Sequence, residues 1–292
     1  MKQKYRLTDE TIECGGVTLY RIEALRDFGD VTAGDKGGFV QSEFNLSQEG
    51  DCWIYDEAAV YGKGWVSGEA KVYGEARIYG EAMVCCKAEV SGEANVYGEA
   101  SVYGEANVSG EANVSGEAEV YGEAKVYGEA RIYGEAMVCC KAEVSGEANV
   151  YGEANVYGEA RIYGEAKVYG EARIYGKAEV YGEARIYGKA EVYGEAEVYG
   201  EAKVYGEARI YGEAEISGES IIKSRQDYIV FKNWWSSGRY FTWTRNNNMW
   251  KVGCFYGTGE ELITKAYADS EESGKEYERV VRYVASILAS QI

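Results

Sequence analysis

Residues 72–100 read VYGEARIYGEAMVCCKAEVSGEANVYGEA, and the same letters return at 126–154. Within the stretch an aliphatic residue stands at every sixth position, Val72, Ile78, Val84, Val90 and Val96, with an alanine four residues after each. Followed outward, the register holds from Ile54 to Ile222 without a slip, giving 29 aliphatic positions in one series. The unit is Val or Ile, then Tyr or Ser, Gly, Glu or Lys, Ala, and one variable residue. A period of six carries an α-helix's apolar positions around its whole cylinder, so a continuous helix is excluded. Isolated hairpins are also excluded, because no longer turn interrupts the pattern. The remaining solution is a solenoid with one short strand and one turn per hexad, Val or Ile facing inward, Ala at the tighter corner and Gly-Glu at the bend.

The duplication supplies a second period. Gly68–Ala100 is identical to Gly122–Ala154, an offset of 54 residues, or nine hexads. That offset is compatible with three turns of a triangular prism of 18 residues per coil, although any number of hexads dividing nine would fit.

Composition agrees with a sheet-like ladder. The chain has 292 residues, 38 Gly, 28 Tyr, no Pro and no His; average usage predicts about 15 prolines, and their absence suits a backbone in which every N–H is needed. The formal net charge of -18 argues against nonspecific nucleic-acid binding or adhesion to anionic membranes, while leaving basic partners open. No apolar run reaches the roughly 20 residues needed to span a bilayer, and MKQKYRLTDE lacks a signal-peptide apolar region, so the sequence predicts a cytoplasmic protein. Seven cysteines, including the adjacent pairs Cys85–Cys86 and Cys139–Cys140, are a poor disulfide framework and fit a reducing compartment.

The aliphatic and small residues at this spacing resemble those of hexapeptide-repeat proteins. The resemblance implies an all-β solenoid, a left-handed parallel β-helix of about nine coils with three hexads per coil, over residues 54–222. RDFGDVTAGDKGGFV (26–40) and NLSQEGDCWIYDEA (45–58) resemble the N-terminal region of bacterial and phage or prophage proteins with this repeat, and residues 1–53 are read as a β cap over the exposed end. Residues 223–292 form a third unit. DYIVFKNWW, RYFTWTR and MWKVGCFYG read as three strands, and GEELITKAYADS and KEYERVVRYVASILASQ as two helices, giving a C-terminal α+β (βββαα) domain.

The same resemblance brings an acyltransferase expectation, which the residues then test. Acyltransferases of this kind use His as general base and the related carbonic anhydrases bind zinc through His, yet this chain has none. Nor does any inserted loop break the repeat. The sequence therefore predicts a non-catalytic, phage- or prophage-encoded rod with no cofactor and no metal, which binds a host protein as an inhibitor of a host process, a defence antagonist or DNA mimic, and could form homo-oligomers through its faces or its C-terminal module. An acyltransferase-like enzyme working without His and an oligomeric small-ligand or nucleotide sponge are the alternatives. YGEA is a turn and lacks the lysine of a P-loop's Gly-Lys-Ser/Thr.

The adjacent cysteines lack metal-ligand spacing and read as structural passengers of the copying. Sorting by 18 puts Glu57, Glu75, Glu93, Glu111, Glu129, Glu147, Glu165, Glu183, Glu201 and Glu219 on one corner, a carboxylate row suited to solvation or to a basic partner. It is also the candidate for acidic DNA mimicry. A neighbouring face carries Tyr133, Tyr151, Tyr169 and Tyr187 beside Arg131 and Arg185, the residue types favoured at interfaces. In the C-terminal unit Trp234, Trp235 and Trp243 near Arg245 are candidates for stacking on a base or sugar.

Overall fold

A computed structural model of the chain describes residues 3–289. Residues 53–222 form a parallel β-helix in which every hexad contributes a short strand, and each strand pairs in parallel register with the one 18 residues later, as in Val72↔Val90↔Val108. Three sheets receive ten, ten and nine rod strands, so the prism has slightly under ten coils, a little more than the sequence estimate. At roughly 4.8 Å per coil the rod is about 45 Å long. The aliphatic series from Ile54 to Ile222 is buried at 0% exposure throughout, with the alanines between them equally closed. Each such Val or Ile contributes on the order of 1.5–3 kcal/mol of burial. Outside, tyrosines of successive coils stack with their rings nearly parallel, ring centroids 4.7 Å apart for Tyr133–Tyr151 and 4.9 Å for Tyr151–Tyr169.

The ladder has a polarity that dictates how its two ends are closed. Most bonds between coils run one way: in one hexad the N–H groups of Lys71, Tyr73 and Glu75 donate to Ala88, Val90 and Gly92 O of the following coil, while the parallel pairing at Val90 returns a bond in the other direction. The first coil is therefore left mainly with unpaired carbonyls and the last mainly with unpaired N–H groups, so the two ends call for caps of different chemistry.

Donors close the first end. Strands Tyr5–Cys14 and Val17–Ala24 form a hairpin that continues through Lys36–Val40 onto the rod strand Ala59–Val60. Lys4, wholly buried, extends Nζ to the carbonyl of Cys52 at 3.0 Å and to its Sγ at 3.2 Å. Burial lowers the Lys4 pKa, and the neighbouring Cys52 opposes that shift. Asn45 Nδ2 donates to the carbonyls of Gly62 and Gly64, and the Tyr5 hydroxyl to Leu46 O. Trp53 fills the mouth of the prism beneath Tyr5 and Phe28.

Acceptors close the other end. Thr242 Oγ1 accepts from Glu215 N at 3.0 Å and Asn246 Oδ1 from Ile221 N at 2.8 Å. Both belong to the C-terminal unit, which has four antiparallel strands, Tyr228–Lys232, Tyr240–Thr244, Met249–Val252 and Phe255–Thr258, where the sequence reading had three. Gly253, at φ 54°, turns MWKVGCFYG back on itself and splits it into a hairpin. Helices α1 (Gly259–Asp269) and α2 (Glu271–Ala289) pack on this sheet through Leu262, Ile263, Tyr277, Val281 and Val284. A capping box between Thr258 and Glu261 starts α1. The expected extension of α2 through Ser290 and Gln291 lies outside the described residues. Among the described residues no helix is long and apolar enough to cross a membrane.

Candidate functional site at the junction of rod and C-terminal sheet

Two grooves open where the last coils meet the C-terminal unit. The first, about 540 Å³, is lined by Arg161, Lys177, Glu179, Glu197, Glu215 and Arg239 among others. Its floor comes from the repeat. Glu179, Glu197 and Glu215 occupy the same outward position of three successive strands and pair in register, so three carboxylates stack at coil spacing. Like charges directly opposite are unfavourable in a sheet. Tyrosines offset the repulsion: the Tyr163 hydroxyl donates to Glu179 at 3.0 Å, Tyr181 to Glu197 at 2.9 Å, and Tyr199 to Glu215 at 3.5 Å.

Glu215 differs from the other two because the C-terminal sheet covers it. Lys251, on the strand Met249–Val252, places Nζ 3.6 Å from its Oε2 and above the Tyr199 ring. Burial holds the Glu215 carboxyl above the usual carboxylate range, against the pull of Lys251 and with help from Glu197. Burial alone would lower Lys251, but Tyr199 and Glu215 keep it raised. Tyr199 itself is raised by burial. A desolvated carboxyl beside a lysine and a tyrosine in an open groove has the attributes of a proton-transfer group.

The second groove, about 740 Å³, contains Arg173, Lys189, Arg209, Lys223 and Arg225 against Glu171, Glu191 and Glu207. The cations outnumber the carboxylates in this groove, although Lys189 is already paired with Glu171 at 3.4 Å. Glu191 is bracketed by Arg173 at 3.9 Å and Arg209 at 3.4 Å. The two grooves are neighbours along the chain: Arg173 lines one and Lys177 the other, and a four-residue step spans at most about 14 Å.

The residues singled out in the sequence lie elsewhere. Glu93, Glu111, Glu129, Glu147, Glu165 and Glu183 are exposed on one corner, and among the described residues no ion pair joins the row from Glu75 to Glu219. Tyr133, Tyr151, Tyr169 and Tyr187 stack on the face that also holds Arg131 and Arg185. Trp243 is not a surface residue: at 1% exposure it sits in the C-terminal core with Nε1 donating to Asn248 Oδ1. Trp235 packs edge-on against Tyr277 and Phe241. Trp234 is 74% exposed, and Arg245 is partly buried, its N–H donating to Asp227 O. The three tryptophans and Arg245 therefore do not form one stacking platform.

Glu215 and Lys251 were missed because a contact between residues so far apart is set by how the C-terminal sheet docks. A signal for half of it was present: three glutamates in one outward column are visible once the strand positions, like the corners, are sorted by 18.

The architecture defines a hexad-repeat parallel β-helix with a net basic and a carboxyl-rich groove at one end. Among known proteins, the chain is 46% identical over 66 residues to one named "Uncharacterized acetyltransferase YdcK", from Escherichia coli strain K12. The match covers 20% of each chain. No family model matches. This similarity overturns the expectation of a non-catalytic chain. The lack of His removes one proton acceptor, which is weaker than removing the reaction, since a desolvated carboxyl can serve in its place.

Proposed function

We propose that the chain is an acyltransferase-like β-helix protein that moves an acyl group from a phosphorylated thioester, of the coenzyme A type, to an amine. The observation that carries the reading is the local similarity to an acetyltransferase-named protein. The two grooves give it a physical form. The basic groove around Arg209 and Lys223 suits the phosphates of the donor, and the carboxyl-rich groove suits a cationic acceptor. The arm of such a thioester would cross the strand between them.

In this reading the amine nitrogen attacks the thioester carbonyl carbon. Glu215 accepts the proton that the nitrogen sheds, and the C–S bond breaks as the thiolate leaves and takes up a proton. Lys251 steadies the ionised carboxylate, and its removal would push the Glu215 carboxyl further above the usual carboxylate range. Calorimetry with acetyl coenzyme A tests the donor half. Saturable binding that weakens at least tenfold in Arg209→Glu/Lys223→Glu supports it, and binding unaffected by that pair sinks it.

The exposed row from Glu75 to Glu219 favours a second reading for the rod itself, a docking face for a basic protein of a bacterial host, on a chain of phage or prophage origin. Replacing alternate glutamates of that row by Gln should release such a partner.

A further inference from the structure

We propose that each adjacent cysteine pair, Cys85–Cys86 and Cys139–Cys140, is a two-point chelating site for a soft, thiophilic metal or metalloid ion such as zinc, cadmium or trivalent arsenic. In a regular strand consecutive side chains point to opposite faces, which would hold two adjacent sulfurs apart. Here the second cysteine of each pair is a corner residue with positive φ, 64° at Cys86 and 65° at Cys140, so the strand alternation does not apply to it. The sulfurs lie 3.7 Å apart in the first pair and 3.5 Å in the second.

That separation selects between two fates. Two thiolates bound to one tetrahedral ion at about 2.3 Å each stand about 3.8 Å apart, close to both observed values. A disulfide needs its sulfurs at about 2.05 Å and its Cα atoms usually at least about 4.4 Å apart, whereas neighbouring Cα atoms are fixed near 3.8 Å. The backbone therefore presents an open bite better matched to an inserted ion than to an S–S bond. Cys86 and Cys140 are exposed, so an ion has access. Among the described residues no group of three or more His, Cys, Asp or Glu is arranged for a metal. The two thiolates would thus be the protein's whole contribution, with solvent or an external thiol filling the remaining positions. Binding of a divalent ion exchanges two thiol protons for two metal–sulfur bonds, with no change of oxidation state.

The test is titration of the fully reduced chain with Cd²⁺, following the ultraviolet thiolate-to-cadmium charge-transfer band. Two ions per chain are expected. One should be lost in Cys86→Gly, one in Cys140→Gly and both in the double variant; these substitutions restore the residue that neighbouring coils carry, so the rod is preserved. A Cys14→Ser/Cys52→Ser/Cys254→Ser variant should still take two. Absence of the band, or a band that survives Cys86→Gly/Cys140→Gly, overturns the proposal.

Discussion

At the scale of single residues, Cys86 and Cys140 are informative because they occupy a left-handed backbone that the rest of their corner gives to glycine. A residue with a Cβ is disfavoured there by roughly 1–2 kcal/mol, so Cys86→Gly and Cys140→Gly should each raise unfolding stability by about 1 kcal/mol in metal-free denaturant titrations. Unchanged or lowered midpoints would contradict that strain. Glu215 carries a signed pH dependence. Its folded pKa lies above the usual carboxylate value, chiefly through burial, so the folded chain keeps a proton that the unfolded chain releases. Its contribution to stability is complete below the usual carboxylate pKa and is lost as pH rises through the raised value. Glu215→Gln should flatten the fall in stability across that window, measured as melting temperature against pH. The sequence showed which cysteines replace turn glycines, but not that their sulfurs converge, because convergence depends on a backbone angle at one residue.

At the scale of elements, the end caps follow from the direction of the hydrogen-bond ladder. Asn45 supplies two donors to carbonyls that no coil can reach, and is itself wholly buried. Asn45→Ala should cost about 1–3 kcal/mol by leaving those carbonyls unsatisfied, seen as a shift in denaturant midpoint; a loss below a few tenths would show that water replaces the amide. The six-residue period made the rod strands legible to the residue, since one slip would have exposed an aliphatic side chain. The caps were legible only as places where the period stops. Lys4, Asn45 and Thr242 look like ordinary polar residues until the ladder's polarity is known. The C-terminal hairpin was read as one strand because only the Gly253 turn interrupts MWKVGCFYG, and Trp243 was a stacking candidate only because basic residues stand near it in sequence, which says nothing of its burial.

At the scale of the whole molecule, coils contact only the next coil, so length is adjustable in units of 18 residues. Deleting residues 72–125 joins Lys71 to Val126, removes three coils and keeps every inward side chain in register. The shortened chain should fold cooperatively, with reduced denaturant dependence in proportion to the lost surface; aggregation or loss of cooperativity would show that the coils are not interchangeable. The deletion spares both grooves, which draw on residues beyond 158, and so should leave acyl transfer intact. Function was the least legible level: composition weighed the missing His, whereas the carboxyl that could replace it becomes special only when the C-terminal sheet covers it. The most direct measurement is thiol release from acetyl coenzyme A in the presence of an amine panel, for the full chain and Glu215→Gln, across pH. The account predicts amine-dependent turnover that rises with pH through the raised Glu215 value and falls at least a hundredfold in Glu215→Gln. Turnover that Glu215→Gln leaves unchanged, or no turnover with any amine, would contradict it.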